Sequence, residues 1–360
     1  MGVSQDGGQG QAARRIYDVV VGGYDGPGGP SLRRYRLHTE GSEARWESRG
    51  GIAHITNPSF GIMAPDRRRL YMVSETREGA VVPVALEEEA EGLKPGTSRP
   101  SGGGSPCHLA FIGAGAFLAV ANYTGGTVGV LRVAEDGTLS DLVAVLDHHD
   151  LPTGPRSDRQ DGPHPHQVLA VGTDAMLVCD LGADAIVSYR MDPDGSFTRA
   201  AISSIGPGAG PRHAVMSADG ERLWVVNELA CTVTRARLDR KSLRVTALDH
   251  EDMLPLGHPR GGTGAEAQLG LGEHVLYASH RGHDSIVRFR VGEDGRLRRE
   301  GWTVTGGRTP RHFSLTPDGR WLVVANQDSD SVGAFQVLAD GTLLEASSTE
   351  ATRPTYVEAW

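Results

Sequence analysis

Cysteine is scarce in this chain: Cys107, Cys179 and Cys231 are the only three in 360 residues. Three scattered thiols cannot build a disulfide framework or a CxxC metal site, and they are expected as buried thiols in a reducing compartment. No apolar stretch approaches the ~18 residues of a membrane span. The first fifteen residues, MGVSQDGGQGQAARR, lack the apolar segment of a secretory signal. They read as a disordered leader, 1–15, ahead of a single domain over 16–360, and the cytoplasm is the expected location. Positive charge is in deficit, with 36 Lys and Arg against 45 Asp and Glu for a net −9. Phosphate backbones need a basic face, so nucleic acid is excluded as the main partner. A few arginines can still focus positive potential inside a pocket. The chain also lacks a GxSxG elbow, an HExxH helix, a Walker loop and a GxGxxG turn. Its PHPH run is not a zinc spacing, and the proline between the two histidines restricts it. No metal and no cofactor are expected.

What is abundant is glycine, 49 residues, with 20 prolines and 38% hydrophobic residues in short runs. That mixture predicts many strands and many turns. The runs repeat. RHFSLTPDGRWLVVANQDSDSVGAFQVLADGTL, from Arg311, contains three strand-length apolar runs separated by a PDG turn and a polar loop, and then a DG turn. Segments of the same form end their second run at Ser74, Asn122, Asp180, Asn227 and His280. In each copy fourteen residues separate the start of the first strand from the end of the second: Phe60/Ser74, His108/Asn122, His166/Asp180, His213/Asn227, Glu266/His280 and His312/Asn326. A seventh copy, YDVVVGGYDG followed by SLRRYRL, lacks a first strand, and the terminal RPTYVEAW resembles one without the rest. The repeat predicts an all-β, seven-bladed propeller, its ring closed by the C-terminal strand pairing with the N-terminal blade. Such closure hides two strand edges.

Within a blade, the start of the first strand and the end of the second lie on one face, at a mouth of the central channel. Those places carry PCH, PHPHQ, PRH, AEA and PRH on first strands, and Asn122, Asp180, Asn227, His280 and Asn326 at second-strand ends. The short polar side chains of Asn122, Asp180 and Asn326 are expected to cap turns. His108 and His312 are equally readable as bonding backbone groups between blades. His164, His166, Arg212, Glu228 and Arg281 are the sharper candidates. A histidine beside a carboxylate can act as a general base near neutral pH, and arginines can hold an anion or a developing oxyanion. The longest spacing between second-strand ends, 58 residues, precedes Asp180 and contains HHDLPTGPRSDRQDGPHPHQ. This polar insertion cannot add core, and it is expected to reach over the mouth and bring Arg159 and Gln160 close.

On these residues the chain resembles the lactonase family of seven-bladed propellers, which includes propeller-type 6-phosphogluconolactonases and fungal carboxymuconate cyclases. The resemblance covers residues 16 to 360. It rests on Arg159-Gln160 with GPHPH (162–166), DLGAD (180–184), GAGPRH (208–213), NEL (227–229), AEA (265–267), SHRGHDSI (279–286) and NQDSDSV (326–332). Two departures from the family pattern are His280 for Asn and Ala267 for Ile. The resemblance implies His166, Arg212, Glu228 and Arg281 as catalytic residues, with Arg159, Gln160, His164, His213 and Glu266 contacting substrate.

The reaction it implies is hydrolysis of a sugar lactone, 6-phosphogluconolactone above all, feeding a pentose phosphate route. His166 would activate water, Glu228 would orient His166 or relay the proton, and Arg212 and Arg281 would hold the anionic group and the developing oxyanion. A carboxymuconate-type lactonising cycloisomerase, or a non-catalytic propeller binding a ligand or protein, are the alternatives. The expected partner is a small anionic lactone or carboxylate, with no nucleic acid and no membrane, and the expected state is a monomer or weak homodimer.

Overall fold

Phe117, Ala119 and Ala121 face one way from a strand, and Leu118 and Val120 face the other, yet all five are buried. Strand side chains alternate between faces, so a continuous apolar run means a strand covered on both sides. The computed structural model, which describes residues 14–26, 31–87, 92–259 and 261–360, shows what covers them. The first set packs on the blade that follows and the second on the blade that precedes. Seven such apolar clusters each join one pair of adjacent blades, around a closed ring. At three of the junctions an aromatic side chain in a second strand donates to a glycine carbonyl in the next blade's DG or EDG turn. These are Tyr71 to Gly137, Trp224 to Gly295 and Tyr277 to Gly341, at 2.8, 2.9 and 2.7 Å.

The blades are antiparallel sheets in sequence order. The third to seventh run Pro106–Ile112 to Leu139–Asp147, Pro165–Val171 to Phe197–Ser204, Pro211–Met216 to Arg244–Asp252, Thr263–Leu269 to Leu297–Val304, and Pro310–Leu315 to Leu343–Glu350. The first blade takes its innermost strand, Pro354–Ala359, from the C-terminus. It lies antiparallel to Arg14–Gly23 with Val357 opposite Val21. Arg14 and Arg15 are part of that strand, opposite Glu40 and Thr39, so the domain begins before residue 16. Residues 1–13 of the expected leader lie outside the described residues. The second blade carries a fifth strand, because its outer strand is split into Leu93–Pro95 and Arg99–Pro100, both against Ala80–Leu86. Pro95 has no N–H to continue the ladder.

One irregularity positions the site. In four blades the first two strands pair through a register shift: Pro106–Asn122 then His108–Ala121, Pro165–Asp180 then Gln167–Cys179, Pro211–Asn227 then His213–Val226, and Pro310–Asn326 then His312–Ala325. The residue skipped is Cys107, His166, Arg212 or Arg311. A bulge of this kind re-aims a side chain. The pairing also corrects the alignment that spacing alone gives. Proline and its partner are sixteen positions apart in three of these blades and fifteen in the fourth. The fourth hairpin is one residue shorter, so Gln167, not His166, is the counterpart of His108, His213 and His312. Hydrogen bonding agrees. Gln167 Oε1 accepts from Ala214 N of the next blade at 2.6 Å, as His108 Nδ1 faces Val168 N at 3.5 Å and His312 Nδ1 faces Val357 N at 3.4 Å.

Candidate active site

Two layers of side chains meet at one mouth of the channel. The lower layer comes from the positions equivalent to His108. Phe60 stacks on His108 at 4.2 Å and meets His312 and Tyr356 edge-on or tilted at 5.6 and 5.2 Å. His108 in turn meets His213 at 5.2 Å. Because Phe60–His312 and His108–His213 join blades that are not neighbours, the rings plug the channel. Glu266 Oε2 lies 2.9 Å from His213 Nδ1 and 3.2 Å from His312 Nε2, and Glu266 Oε1 accepts from Ala267 N at 2.9 Å. His312 Nδ1 already accepts a backbone N–H, so its proton is assigned to Nε2, facing Glu266. Burial pushes His108 and His213 well below the usual histidine range and His312 to about 4, because the cationic form cannot be solvated there.

The bulged residues supply the upper layer. Glu228, buried just after the second strand of the fifth blade, is ringed by three arginines. Arg159 Nη2 lies 2.6 Å from Oε1, while Arg281 Nη2 and Arg212 Nε lie 2.8 and 3.1 Å from Oε2. Arg212 Nη1 also donates to Ala265 O at 2.8 Å, and Arg281 Nη2 to Gly264 O at 2.9 Å. Burial alone would raise the Glu228 pKa, but Arg281, Arg212 and Arg159 outweigh it and hold the carboxyl at about 2. Burial, then the neighbouring Arg281 charge, lowers Arg212 to about 10. His166 sits beside this cluster, buried, its ring 5.1 Å from that of His213 and 5.7 Å from that of Tyr123. Burial first, then the charges of Arg212, His213, Arg311 and Arg281, keep it well below the ordinary histidine pKa. Its Nδ1 is buried without a hydrogen-bond partner.

The expected contact between Glu228 and His166 is not what the structure holds. Glu228 spends its oxygens on arginines, and the histidine is uncharged without its help. Glu228 therefore positions the three arginines, which hold its carboxyl well below the usual carboxylate range.

Of the other expected contacts, only Arg159 reaches the mouth from the insertion, where it also donates to Tyr123 Oη at 3.3 Å. Gln160 is a buried strut. Its Nε2 donates to Leu181 O at 2.9 Å and Asp184 Oδ1 at 2.8 Å, and its Oε1 accepts from Arg156 N at 2.9 Å. His164 is stacked on Tyr123 at 4.4 Å, with its ring nitrogens facing Tyr123 O and Asp161 Oδ1 at 2.9 and 3.0 Å. No polar atom of Gln160, and no ring nitrogen of His164, is left for a ligand. His213 and Glu266 belong to the plug beneath. Asn122 and Asn326 cap turns as expected, donating to Ser101 O and Thr305 O at 3.0 and 3.2 Å. Asp180 accepts from His164 N and Ala183 N.

Sequence reasoning passed over Arg311, Tyr24, Tyr123 and Glu75. Tyr24 Oη donates to Glu75 Oε1 at 3.0 Å, and the Arg311 guanidinium lies 5.7 Å from the Tyr24 ring centroid. The signal for Arg311 was present, since PRH at 310–312 duplicates PRH at 211–213. Glu75 and Tyr123 occupy the position just past the second strand that Glu228 occupies in its blade, and Arg281 is the last residue of the second strand in its own. A cavity of about 790 Å³ is lined by Leu229, Thr232, Leu256 and their neighbours. The titratable groups converge on the channel axis instead, which is why the mouth is taken as the site. Among the described residues, no three His, Cys, Asp or Glu side chains are grouped to hold a metal ion, and no helix is long and apolar enough to cross a membrane.

Fold and mouth together define a seven-bladed propeller with a cationic pocket at one end of its channel. The chain belongs to the lactonase family of such propellers: the family model described as "Lactonase, 7-bladed beta-propeller" matches residues 18–359. It is 29% identical to a 6-phosphogluconolactonase of Formosa agariphila, covering 88% of this chain and 92% of that one. It is 27% identical to the 6-phosphogluconolactonase of Bacillus subtilis, over 89% and 91%. Among solved structures it is similar to a periplasmic gluconolactonase of Pseudomonas aeruginosa. The TM-score is 0.88 and the identity 28%, over 96% of this chain and 99% of that one.

Proposed function

We propose that this protein hydrolyses a sugar lactone, 6-phosphogluconolactone, to open-chain 6-phosphogluconate. The observation that carries the reading is a buried histidine, His166, next to a cluster in which cations outnumber the carboxylate that organises them. His166 Nε2, the ring nitrogen that is not sealed in, takes a proton from water as the oxygen attacks the lactone carbonyl carbon. Arg212 and Arg281 stabilise the resulting oxyanion, charge that exists only in the tetrahedral species. The ring C–O bond then breaks, and the leaving alkoxide takes the proton back from His166. Water is consumed, an acid and a hydroxyl are released, and no redox partner enters.

Relatives named 6-phosphogluconolactonase and a neighbour named gluconolactonase support the reaction class. The three free, buried cysteines suit a reducing cytoplasm, where the product would feed a pentose phosphate route. The substrate is a small anion, bound by one protein chain. The test is lactone hydrolysis measured above the spontaneous rate, on phosphorylated and unphosphorylated gluconolactones. No acceleration with either would sink the proposal.

A further inference from the structure

Three of the four mouth arginines share the Glu228 carboxylate. Arg311 does not. Among the described residues its guanidinium makes no ion pair and no hydrogen bond, and its marked neighbour is the Tyr24 ring, 5.7 Å away. It is nonetheless built into the mouth. It is the bulged residue of the seventh blade, placed as Arg212 is in the fifth. Its charge is close enough to depress the pKa of Arg212, Arg281 and His166. A second guanidinium, that of Arg353, lies 5.2 Å from the same Tyr24 ring, and its side chain likewise has no acidic partner among the described residues. The Glu75 carboxylate at this end is occupied, accepting from Tyr24 Oη at 3.0 and 3.2 Å, and Asp330 Oδ1 accepts from the Arg353 backbone N–H at 2.7 Å.

We infer that Arg311, seated on Tyr24 with Arg353 beside it, is the subsite for a permanent anionic group on the substrate, a phosphoryl group, separate from the Glu228-bound arginines that meet the reacting carbonyl. The charges support a permanent anion. Arg159, Arg212, Arg281 and Arg311 outnumber Glu228 and Glu75, even with the Glu266 carboxyl of the plug beneath them counted, so positive charge is in excess in the mouth of an acidic protein. A neutral lactone develops one negative charge, and only transiently. A phosphate ester carries about −1.5 to −2 at neutral pH and keeps it throughout. The tyrosine face holds the guanidinium by cation–π attraction without neutralising it, so its donors stay free for phosphate oxygens. The inference rests on the lactonase reading and assigns a residue to its substrate's second functional group.

The experiment compares wild type, Arg311→Gln and Arg311→Lys on 6-phosphogluconolactone and on glucono-1,5-lactone, and titrates each protein with inorganic phosphate and with 6-phosphogluconate by calorimetry. Arg311→Gln should lower kcat/KM for the phosphorylated lactone about 10- to 100-fold more than for the unphosphorylated one. The loss should fall mainly on KM, 6-phosphogluconate binding should weaken in parallel, and Arg311→Lys should recover part of both. Equal losses on the two lactones, or phosphate binding unchanged in Arg311→Gln, would overturn the subsite. Wild type that opens only the unphosphorylated lactone and binds no phosphate would overturn it too, with lactonase activity standing. Wild type inactive on both lactones would defeat the lactonase reading, and the phosphate titrations would still decide whether Arg311 binds the anion.

Discussion

Arg159 Nη2 lies 2.6 Å from Glu228 Oε1, so the insertion before the fourth blade is tied to a carboxylate of the fifth blade at the channel mouth. Its neighbour Gln160 is tied instead to Leu181 O and Asp184. The two contacts do different work and separate by mutation. Arg159→Ala should lower kcat/KM roughly tenfold, the scale of one charge-assisted contact, with little change in Tm. Gln160→Ala leaves buried partners unsatisfied. It should lower Tm and open residues 152–162 to protease. Matched kinetics, melting curves and limited proteolysis check this. The expectation fails if both variants change activity and Tm alike.

Glu228→Gln keeps the shape of the side chain and removes the charge that organises Arg159, Arg212 and Arg281. Taking one member from a buried ion cluster leaves uncompensated charge and typically costs about 3–5 kcal/mol. The variant should melt several degrees lower, and millimolar phosphate should restore part of the loss by filling the vacated anionic position. Calorimetric scans with and without phosphate provide the measurement. A variant as stable as wild type would mean that the arginines do not depend on Glu228.

Acid should weaken the fold earlier than carboxylate titration alone requires. His312 and His280 are held at about 4 by burial, and His108, His166 and His213 are lowered for the same reason. Unfolded, each returns to about 6.5. Between those values the unfolded chain binds protons that the folded chain refuses, so stability falls as pH drops below about 6.5. Glu228, held at about 2 by its arginines despite burial, adds a second loss below about 4.5. Glu266, raised by burial, titrates in the opposite sense and offsets part of the first loss. Tm should therefore decline steadily from pH 7 to pH 5. A flat Tm over that range would show that the plug histidines are not held neutral.

Most of the ring could be read from the chain because each blade writes the same strand pattern, and the C-terminal strand is visible as the piece the first copy lacks. The mouth was legible wherever charge and position coincide, at Arg212, Glu228 and Arg281. Three things were hidden. A hairpin one residue shorter shifts the fourth blade, so spacing assigned His166 to the plug position that Gln167 fills. The partners of Glu228 depend on side-chain reach across blades, which no spacing encodes. Gln160 and His164 stand in a conspicuous motif, yet they brace the insertion, because a polar loop needs internal hydrogen bonds as much as a site needs ligands. Arg311 could have been found from its repeated PRH.

That one-residue shift gives the sharpest test of the mechanism, because His166 and Gln167 are adjacent in sequence and face different tasks. His166 stands on the bulge, in the mouth, with Nδ1 unpartnered and no polar contact to lose. Gln167 stands in the plug, where its Oε1 accepts from Ala214 N at 2.6 Å. His166→Ala should remove the base and cost about 10²–10⁴-fold in kcat, while Tm holds or rises, since an unsatisfied buried nitrogen is removed with the ring. Gln167→Ala should leave Ala214 N without its partner, at about 1–3 kcal/mol, and should lower Tm with a far smaller effect on kcat. The pH profile adds an independent readout. A base held below the ordinary histidine range stays deprotonated at pH 6, so wild-type kcat/KM should stay level down to that pH and fall only in more acidic solution. A folded His166→Ala protein that opens the lactone at the wild-type rate would falsify this assignment of the base. A rate that already falls between pH 8 and 7 would point to a different group.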